Sequence, residues 1–444
     1  MTPTLAGLDA CFEGVVPSII ATLAPDGTPN ISYLSHVARV DDRHVALSNQ
    51  FFSKTAANLR ANPRAGLIVV DALTGLQYRL DVVYLRTETD GPLFERMAAD
   101  LRATSAQLRM ADVMRLRGVD IYRVDAIRAL RSPVSRAPVP TIAADRLAAV
   151  AAVGAVIASA TTLGALLDGM LASLAEQFGF QHAMVLLAQG DRLVTIASTG
   201  YDRSGIGAEV TLGDGLIGMA ALERRPLRIS DMSRARRFAD AIAAAGPEEN
   251  DSREIELPGL DAAMSQLAVP MLSQGHLRGV LMLESPARMA FTPADETAMT
   301  IVAGHLSTAL ALIDSEAAEV VDTPEMTAGI AGPAFQVVHH PFDDSVFIGG
   351  DYIVKGVAGR LLVSFLRAHL ADGRQHFSNR EIRLDASLRL PEFKDNLETR
   401  LLLLQRRLDE KAAPVRIARP ARGRIQLTLS GTPVLTSEGQ GHLG

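Results

Sequence analysis

The sequence predicts a multidomain protein of the α+β class. Its 444 residues are more than one typical hydrophobic core accommodates, and its 48% apolar and 21% charged residues are ordinary for a globular protein. This length predicts two to four domains. We divide the chain into three domains, two connecting segments and a tail, over residues 1–135, 136–165 (an Ala-rich linker helix), 166–316, 317–345 (a linker), 346–432 and 433–444 (a disordered tail).

The composition indicates the cellular compartment and bears on nucleic-acid binding and membrane attachment. Cys11 is the single cysteine, which excludes an internal disulfide and suggests a reducing, cytoplasmic compartment. The first residues lack the basic segment of a signal peptide. Without tryptophan and with few other aromatic residues, the chain offers few stacking platforms for single-stranded nucleic acid. Leu147–Leu167 is uncharged, but its many alanines make it a poor membrane span, so we expect no membrane attachment and a helix that packs against its own copy.

The first 135 residues alternate apolar and polar side chains over short stretches bounded by turn residues. Ser18–Leu23, Asn30–Val40 and His44–Leu47 read as an antiparallel meander. Three further strands and two helices are predicted at 65–70, 76–87, 119–124, 53–61 and 92–103. Many antiparallel strands with few helices predict a small barrel.

Four motifs in this region resemble the pyridoxamine 5′-phosphate oxidase-like split barrel, which binds flavin mononucleotide (FMN). They are Ala24-Pro25-Asp26-Gly27-Thr28-Pro29-Asn30, Leu47-Ser48-Asn49, Ser53-Lys54-Thr55 with Asn58-Leu59, and Asn62-Pro63-Arg64-Ala65. That family places a Ser-Arg-Lys triplet at the flavin phosphate, and Ser53-Lys54-Thr55 occupies the same place. A hydroxyl, an ammonium and free backbone N–H groups at a helix start suit an anion, although Ser53 would also serve as an ordinary cap. The resemblance implies FMN contacts from Ser35, Ser48, Ser53, Lys54, Thr55 and Asn58.

The identity of the cofactor stays open at this point. The upstream Arg and Lys that hold the phosphate in the oxidase have no counterpart, and Tyr33, Ser35, His36 and Ala38 stand near their place. A deazaflavin, a heme with His36 as its ligand, and a barrel that has lost its cofactor are therefore alternatives to FMN. The chain has no P-loop, no G-x-S-x-G elbow and no H-E-x-x-H motif. Any enzymatic activity would therefore be that of an FMN-dependent oxidoreductase.

Five phrases between residues 148 and 313 resemble a GAF domain, a sensory module that binds a small molecule. They are Gly213–Ala221, Arg225–Asp231, Ser265–Met271, Gly279–Ser285 and Phe291–Thr297. The first also spells G-x-G-x-x-G, but no repeating βαβ units follow, which argues against a dinucleotide-binding fold. The resemblance implies a pocket between an antiparallel sheet and the irregular segment 231–257. Its candidate lining residues, each of which could instead be purely structural, are His182, Asp231, Phe238 and Met264.

The end of the chain predicts a helix followed by a basic hairpin. Four leucines recur at i, i+4, i+7 and i+11 and form one apolar stripe: Leu397, Leu401, Leu404 and Leu408. Asn396, Arg400, Leu403 and Arg407 lie on a flank of this stripe, and Arg406 lies further round. Val415–Ile417 and Ile425–Leu429 form the hairpin. Upstream, Val357–Leu370 is another apolar helix. We expect the leucine stripe to be buried against it, which would leave the flank with Arg400 and Arg407 free. Between the two helices, Ser378 and Glu381 have the spacing of a capping box.

This order of elements resembles the winged-helix domain of bacterial two-component response regulators, over Phe347–Leu429. The family's S-R-E, R-L-R-R-K-L and R-G-x-G-Y motifs appear as residues 378–381, 404–408 and 422–425. Between Asp351 and Arg424, sixteen Lys/Arg face nine Asp/Glu, whereas the whole chain carries a net charge of −6. This basic segment suits a polyanion. The resemblance implies DNA contacts from Asn396, Arg400, Arg406, Arg407, Arg422 and Arg424, whereas an amphipathic helix with a solvated basic face is the plain alternative.

Together these features predict a cytoplasmic, ligand- or redox-sensing transcriptional regulator. A flavin-binding split barrel, a GAF sensor and a DNA-binding winged helix would follow one another on a chain that forms a homodimer. An FMN-dependent oxidoreductase with regulatory C-terminal domains is the alternative. A scaffold whose winged helix binds protein is a third interpretation.

Overall fold

The structure is a computed structural model of the 444-residue chain. It describes residues 3–34, 36–49, 53–107, 116–130, 146–233, 255–316, 332–385, 388, 390, 397–420 and 423–437. Within these residues the fold is a mixture of helices and curled antiparallel sheets, arranged as three successive domains.

The N-terminal domain is built on one antiparallel sheet of seven strands, in the order β2-β1-β5-β6-β7-β4-β3. The strands are β1 (Ser18–Leu23), β2 (Pro29–Leu34), β3 (Val37–Arg39), β4 (His44–Asn49), β5 (Arg64–Val70), β6 (Gln77–Glu88) and β7 (Gly118–Ala129). A 3-10 helix (Leu5–Phe12) precedes β1, and helices α1 (Ser53–Ala61) and α2 (Pro92–Gln107) follow β4 and β6.

The strands β2 and β3 are consecutive in the chain but form opposite edges of this sheet. Leu34 and Val37, at 1% and 3% exposed, are buried in the same core. Residues three apart in one strand face opposite sides of a sheet, so the chain must bend between these two. The single predicted strand Asn30–Val40 is therefore wrong, and the short connection requires the sheet to curl until its edges approach each other.

The 3-10 helix packs on the core of the seven-stranded sheet. Its Leu5, Leu8, Cys11 and Phe12 pack with the inward residues of the strands. Burial, and then the nearby Asp71 carboxylate, raise the pKa of the Cys11 thiol to about 12. This thiol therefore stays protonated and unreactive at neutral pH.

The second domain is a six-stranded antiparallel sheet in the order β10-β9-β8-β13-β12-β11. The strands are β8 (His182–Gln189), β9 (Arg192–Thr199), β10 (Glu209–Thr211), β11 (Leu227–Ile229), β12 (Ser265–Ser273) and β13 (His276–Ser285). Three helices cover one face of the sheet, and α5 covers the other. The helices are α3 (Arg146–Ser159), α4 (Leu163–Phe178), α5 (Gly215–Glu223) and α6 (Pro293–Glu316).

The uncharged segment Leu147–Leu167 is not one continuous helix. Helix α3 ends at Ser159, and Thr162 caps α4 by accepting a hydrogen bond from the backbone N–H of Ala165 at 3.2 Å. Val150, Val153 and Ile157 of α3 are buried in the core of the second domain, so α3 is a layer of this domain and not a free linker.

Among the described helices, one is long and apolar enough to cross a membrane by length and composition. It is Pro293–Ile313 within α6. Its Met299, Val302 and Leu306 are 0%, 1% and 0% exposed in the core beneath the sheet, which is the packing of a core helix.

The third domain has a four-stranded sheet, three helices and a three-stranded sheet. The strands are β14 (Phe335–His340), β15 (Ser345–Ile348), β16 (Asp351–Val354), β17 (His376–Ser378), β18 (Val415–Ala418), β19 (Arg424–Leu429) and β20 (Pro433–Ser437). The helices are α7 (Gly356–Asp372), α8 (Asn379–Leu384) and α9 (Leu397–Glu410). The strand orders are β16-β15-β14-β20 and β17-β19-β18.

Two predicted boundaries of this domain are wrong. The strand β14 lies inside the predicted linker 317–345, because Val337 is fully buried and its strand pairs with β15. The first residues of the predicted disordered tail form β20, which pairs in parallel with β14 from Phe335 to His339. Leu435 packs on the core of the domain from this strand, and this contact explains why residues 433–437 are ordered.

Candidate functional sites

The first turn of α1 carries the predicted phosphate site, but two of its polar side chains face inward. Thr55 and Asn58 are each 3% exposed. The Thr55 hydroxyl lies 3.1 Å from Asn30 Nδ2 and 2.9 Å from Ser32 Oγ. Asn58 Nδ2 donates to Thr22 Oγ1 at 3.1 Å. These bonds tie α1 to β1 and β2, so both side chains are used within the protein.

Among the members of the predicted site whose side chains are described, Lys54 faces solvent. Ser48 is 2% exposed and donates to the His36 carbonyl at 3.3 Å. Ser35 and the side chain of Ser53 lie outside the described residues. A phosphate bound at this turn would therefore meet Lys54 and the free N–H groups of α1, but not the Thr55 hydroxyl or the Asn58 amide in their present positions. The fit to FMN is thus partial.

Arg228 joins the barrel to the second domain. It donates to the Glu13 carboxylate of the barrel and, at 3.1 Å, to Glu296 of α6. The Ser230 hydroxyl also donates to Glu13, at 2.6 Å. Burial acts against the charged guanidinium, but the Glu13 and Glu296 carboxylates outweigh it and raise the pKa of Arg228. The pair is largely shielded from water, since the Arg228 and Glu13 side chains are 15% and 9% exposed.

His36, the alternative heme ligand, lies close to this junction. Burial of its ring lowers the pKa of His36, while the Asp100 and Glu13 carboxylates oppose the change. The ring is therefore neutral at physiological pH. Nothing further in the described residues favours a metal, because they contain no group of three or more His, Cys, Asp or Glu side chains arranged to hold one.

A row of polar side chains crosses the α5 face of the second sheet. His182, Glu284 and Gln266 are register partners on β8, β13 and β12. Glu284 accepts from Gln266 Nε2 at 2.7 Å and from the Leu260 backbone N–H at 3.1 Å. The Tyr201 ring meets His182 edge to face at 5.8 Å, and its buried hydroxyl has no hydrogen-bond partner among the described residues. Burial, and then the Glu284 charge, raise the pKa of Tyr201.

Of the four predicted residues of the GAF pocket, His182 is the one that belongs to this row. Asp231 accepts from the Ser233 backbone N–H at 2.8 Å and pairs with Arg288 at 3.5 Å. The Met264 carbonyl accepts from the Met232 N–H, and the Met264 N–H donates to the Ser285 carbonyl, which joins the ends of β11, β12 and β13. Asp231 and Met264 thus have structural roles here, and Phe238 lies outside the described residues.

Helix α9 buries the predicted leucine stripe in its own domain. Leu397, Leu401, Leu404 and Leu408 are at most 1% exposed and pack against α7 and the two sheets. The prediction that this stripe faces Val357–Leu370 is confirmed. The prediction that the flank carrying Arg400 and Arg407 stays free is wrong.

The basic residues of α9 are all engaged. Arg407 is 4% exposed and donates to the backbone carbonyls of Ile353 and Tyr352 at 3.0 and 3.1 Å. Arg400 donates to Gln189 of β8. Arg406 donates to the Ile196 carbonyl at 2.8 Å and to Asp168 at 2.6 Å. Arg400 and Arg406 therefore contact the second domain, whereas Arg407 is buried within the third domain.

Other basic residues of the third domain do face solvent. Arg424, at the start of β19, is exposed, and so are Arg380 and Arg383 of α8. Asn396 and Arg422 lie outside the described residues. The exposed basic surface of this domain, defined by Arg380, Arg383 and Arg424, thus borders the hairpin and not the outer face of α9.

Sequence reasoning missed the residues that receive α9. Asp168 is the one charged residue between Arg146 and Glu176, and a lone carboxylate on an otherwise uncharged pair of helices could have been recognised as a candidate contact for a basic residue. Gln189 at the β8–β9 turn gave no such signal. Tyr201 and Glu284 were also missed, because pairing across a sheet is invisible until its strand order is known.

Two family models match the chain. Residues 8–127 match the model described as pyridoxamine 5′-phosphate oxidase, and residues 162–310 match the model described as GAF domain. Comparison with the curated proteins gave no match.

Solved structures resemble one domain at a time. The GAF domain of an Acinetobacter phosphoenolpyruvate-protein phosphotransferase is 21% identical, covering 41% of this chain and all of its own, with a TM-score of 0.33. An FMN-binding protein from Syntrophomonas wolfei is 16% identical, covering 28% of this chain and 84% of its own, with a TM-score of 0.25. HupZ from Group A Streptococcus is 23% identical, covering 30% of this chain and 97% of its own, with a TM-score of 0.23.

The two model matches agree with the curled seven-stranded sheet and the six-stranded sheet flanked by helices. The chain therefore carries a pyridoxamine 5′-phosphate oxidase-like split barrel followed by a GAF domain.

Proposed function

We propose that this chain is a cytoplasmic, ligand- or redox-sensing transcriptional regulator. The barrel and the GAF domain would sense small molecules, and the third domain would bind DNA. The observation that carries the proposal is the combination of these two domains with a basic C-terminal domain on one chain. A sensor fused to a polyanion-binding module is the arrangement of a one-component regulator.

The order of elements in the third domain supports a winged helix. A helix, a strand, a short helix, a longer helix and a hairpin follow one another as α7, β17, α8, α9 and β18–β19. The short helix opens with a capping box, in which Ser378 Oγ accepts from the Glu381 N–H and the Ser378 N–H donates to Glu381, each at 3.3 Å. In a winged helix, α9 would enter the major groove and the hairpin would contact phosphates.

FMN is the cofactor that the family of the barrel favours. Lys54 and the free N–H groups of α1 would hold its phosphate, a role that fits the exposure of Lys54. When bound, FMN supplies hydride or single-electron transfer, which would make the barrel a redox sensor.

A homodimer through the barrel is supported by an exposed apolar face on the β1–β2 hairpin. Leu23, Ile31 and Tyr33 are 45%, 66% and 73% exposed. Their register, with Ile31 opposite Ala21 and Tyr33 opposite Ile19, puts them on one face of the sheet. Grouped exposed apolar side chains mark interaction surfaces.

Duplex binding at two salt concentrations tests the DNA role. Losing two phosphate contacts in Arg380→Ala/Arg383→Ala should weaken binding to every sequence and lower the slope of log affinity against log salt by about two. The double variant Arg43→Ala/Arg60→Ala removes the same charge from exposed sites on the barrel and is the matched control. Absence of duplex binding at low salt by the parent chain and by a variant with α9 released would refute the DNA role.

The second candidate is an FMN-dependent oxidoreductase whose other domains are regulatory. The match of the barrel to an oxidase family favours it. Steady-state oxidation of a reduced nicotinamide by the flavin-loaded chain, without any duplex binding, would select this candidate over the regulator.

A further inference from the structure

We propose that helix α9 is a shared element, which the GAF domain holds against its own core and thereby keeps away from DNA. This inference rests on the proposed DNA role. It adds a regulatory contact that the family matches do not contain, since it joins the GAF domain to the third domain.

The apolar part of the contact is continuous with the GAF core. Leu402 and Leu403 are 8% and 7% exposed and belong to the same cluster as Leu166 and Ile196 of the GAF domain. The opposite stripe of the same helix fills the core of the third domain. Two faces of one helix thus complete two hydrophobic cores.

Two glycines of the GAF domain allow this close approach. A Cβ at Gly164, near the start of α4, would lie 3.7 Å from the Leu402 methyl. A Cβ at Gly207 would lie 3.6 Å from both Leu403 and Arg407, and its φ of +90° favours glycine in any case. Larger side chains at these positions would push α9 outward.

Polar contacts frame the apolar patch and fix the orientation of the helix. Arg400 donates to Gln189 at one end, and Arg406 bonds to Asp168 and to the Ile196 carbonyl in the middle. At the other end the Ser204 hydroxyl donates to Glu410 at 2.8 Å. These contacts use the flank of α9 that a DNA groove would need, so groove binding and docking on the GAF domain exclude each other.

The docked helix is also connected to the ligand-facing side of the GAF sheet. Gln189 and His182 lie at opposite ends of β8, and Ile196 lies on the neighbouring strand β9. The polar row of His182, Tyr201 and Glu284 lies on one face of the GAF sheet, and α9 packs on the opposite face. A ligand that rearranges this row would therefore act on the same strands that contact α9. The GAF domain could then release the helix, since coupling requires only that the ligand prefer one of the two arrangements.

A steric wedge tests the proposal without altering the third domain. Gly164→Trp should displace α9, whereas Gly164→Ala places only an ordinary contact at 3.7 Å and is the matched control. Asp168→Ala is a milder second variant, because its side chain is 68% exposed and its loss should not disturb folding. Hydrogen exchange over residues 397–410 reports docking, and binding of a mixed-sequence duplex at low salt reports access to DNA.

For Gly164→Trp we expect faster hydrogen exchange of α9 and duplex binding that is roughly tenfold tighter or more. Asp168→Ala should change both quantities less, and Gly164→Ala should change neither. Unchanged exchange in both Gly164→Trp and Asp168→Ala would overturn the docking. Faster exchange with duplex affinity equal to that of the parent would overturn the inhibition while leaving the DNA role intact. Faster exchange with no duplex binding by any form would refute the DNA role itself.

Discussion

Arg407 gives the sharpest test of the role of α9, because the sequence predicts that its side chain contacts DNA, whereas the structure shows that side chain buried in the third domain. As a base-reading residue it would be exposed, and Arg407→Ala would change DNA preference without affecting the fold. In the structure it is 4% exposed and donates to the Ile353 and Tyr352 carbonyls and to Glu410. We therefore expect Arg407→Ala to unfold or loosen the third domain.

The magnitude follows from the bonds that are lost. A hydrogen bond to a charged group contributes about 1.5–3 kcal/mol, and each carbonyl left buried without a donor costs about 1–3 kcal/mol. The Glu410 pair adds little, since that side chain is 35% exposed. Allowing for non-additivity, Arg407→Ala should lower the free energy of unfolding of the third domain by about 3–5 kcal/mol.

Urea titration followed by hydrogen exchange of α7 and α9 measures this loss domain by domain. Arg406→Ala is the matched control on the same helix, and we expect it to cost about 1 kcal/mol, since it removes one partly exposed ion pair and one carbonyl contact. Arg407→Lys should recover only part of the stability, because an ammonium cannot reproduce the planar fork. A loss below about 1 kcal/mol for Arg407→Ala would refute the structural role.

Four further outcomes are expected. Lys54→Ala should weaken FMN binding in calorimetry by about 1.5–3 kcal/mol, whereas Arg60→Ala at the far end of α1 should not, and equal effects would refute the phosphate site. Tyr33→Glu should convert a dimer to a monomer in light scattering, and a monomeric parent at micromolar concentration would contradict the dimer. Arg228→Met should destabilise the barrel–GAF junction by about 2–4 kcal/mol in thermal unfolding, with partial recovery in Arg228→Met/Glu13→Gln, because the second change removes the stranded buried charge. Burial lowers the pKa of His36 in the folded chain below its ordinary value of 6.5, so on acidification the unfolded chain takes up the imidazole proton before the folded chain does. The free energy of unfolding should therefore be highest above pH 6.5 and fall as the pH decreases below it, and His36→Gln should reduce this pH dependence.

Much of the architecture could be predicted from local sequence patterns. The strands predicted at Ser18–Leu23 and at His44–Leu47 and the leucine stripe of α9 each depend on neighbouring residues, and all are confirmed. The break between Leu34 and Val37 could not be predicted, because the residues on both sides have the pattern of one continuous strand. It follows only from the burial of both side chains in the same core. The strand β20 was missed for the same reason, because it gains order only from its distant partner β14.

The candidate sites were harder to predict than the fold. A polar residue at a helix start can bind an anion or fasten the helix, and Thr55 shows the second outcome through Asn30 and Ser32. Likewise, an arginine on a helix flank can meet a phosphate, a carbonyl or a carboxylate. Only the position of the GAF domain decides this for Arg400 and Arg406.

The parallel pairing of β20 with β14 bears on how the chain is made. Synthesis proceeds from the N-terminus, and domains generally fold as they emerge. The sheet of the third domain gains its fourth strand only when residues 433–437 have left the ribosome, long after the GAF domain is complete. During that interval α9 already has a finished GAF surface to pack on, while its own domain still lacks an edge strand. The docked arrangement should therefore form first in every newly made molecule, and release of the helix would be a later event.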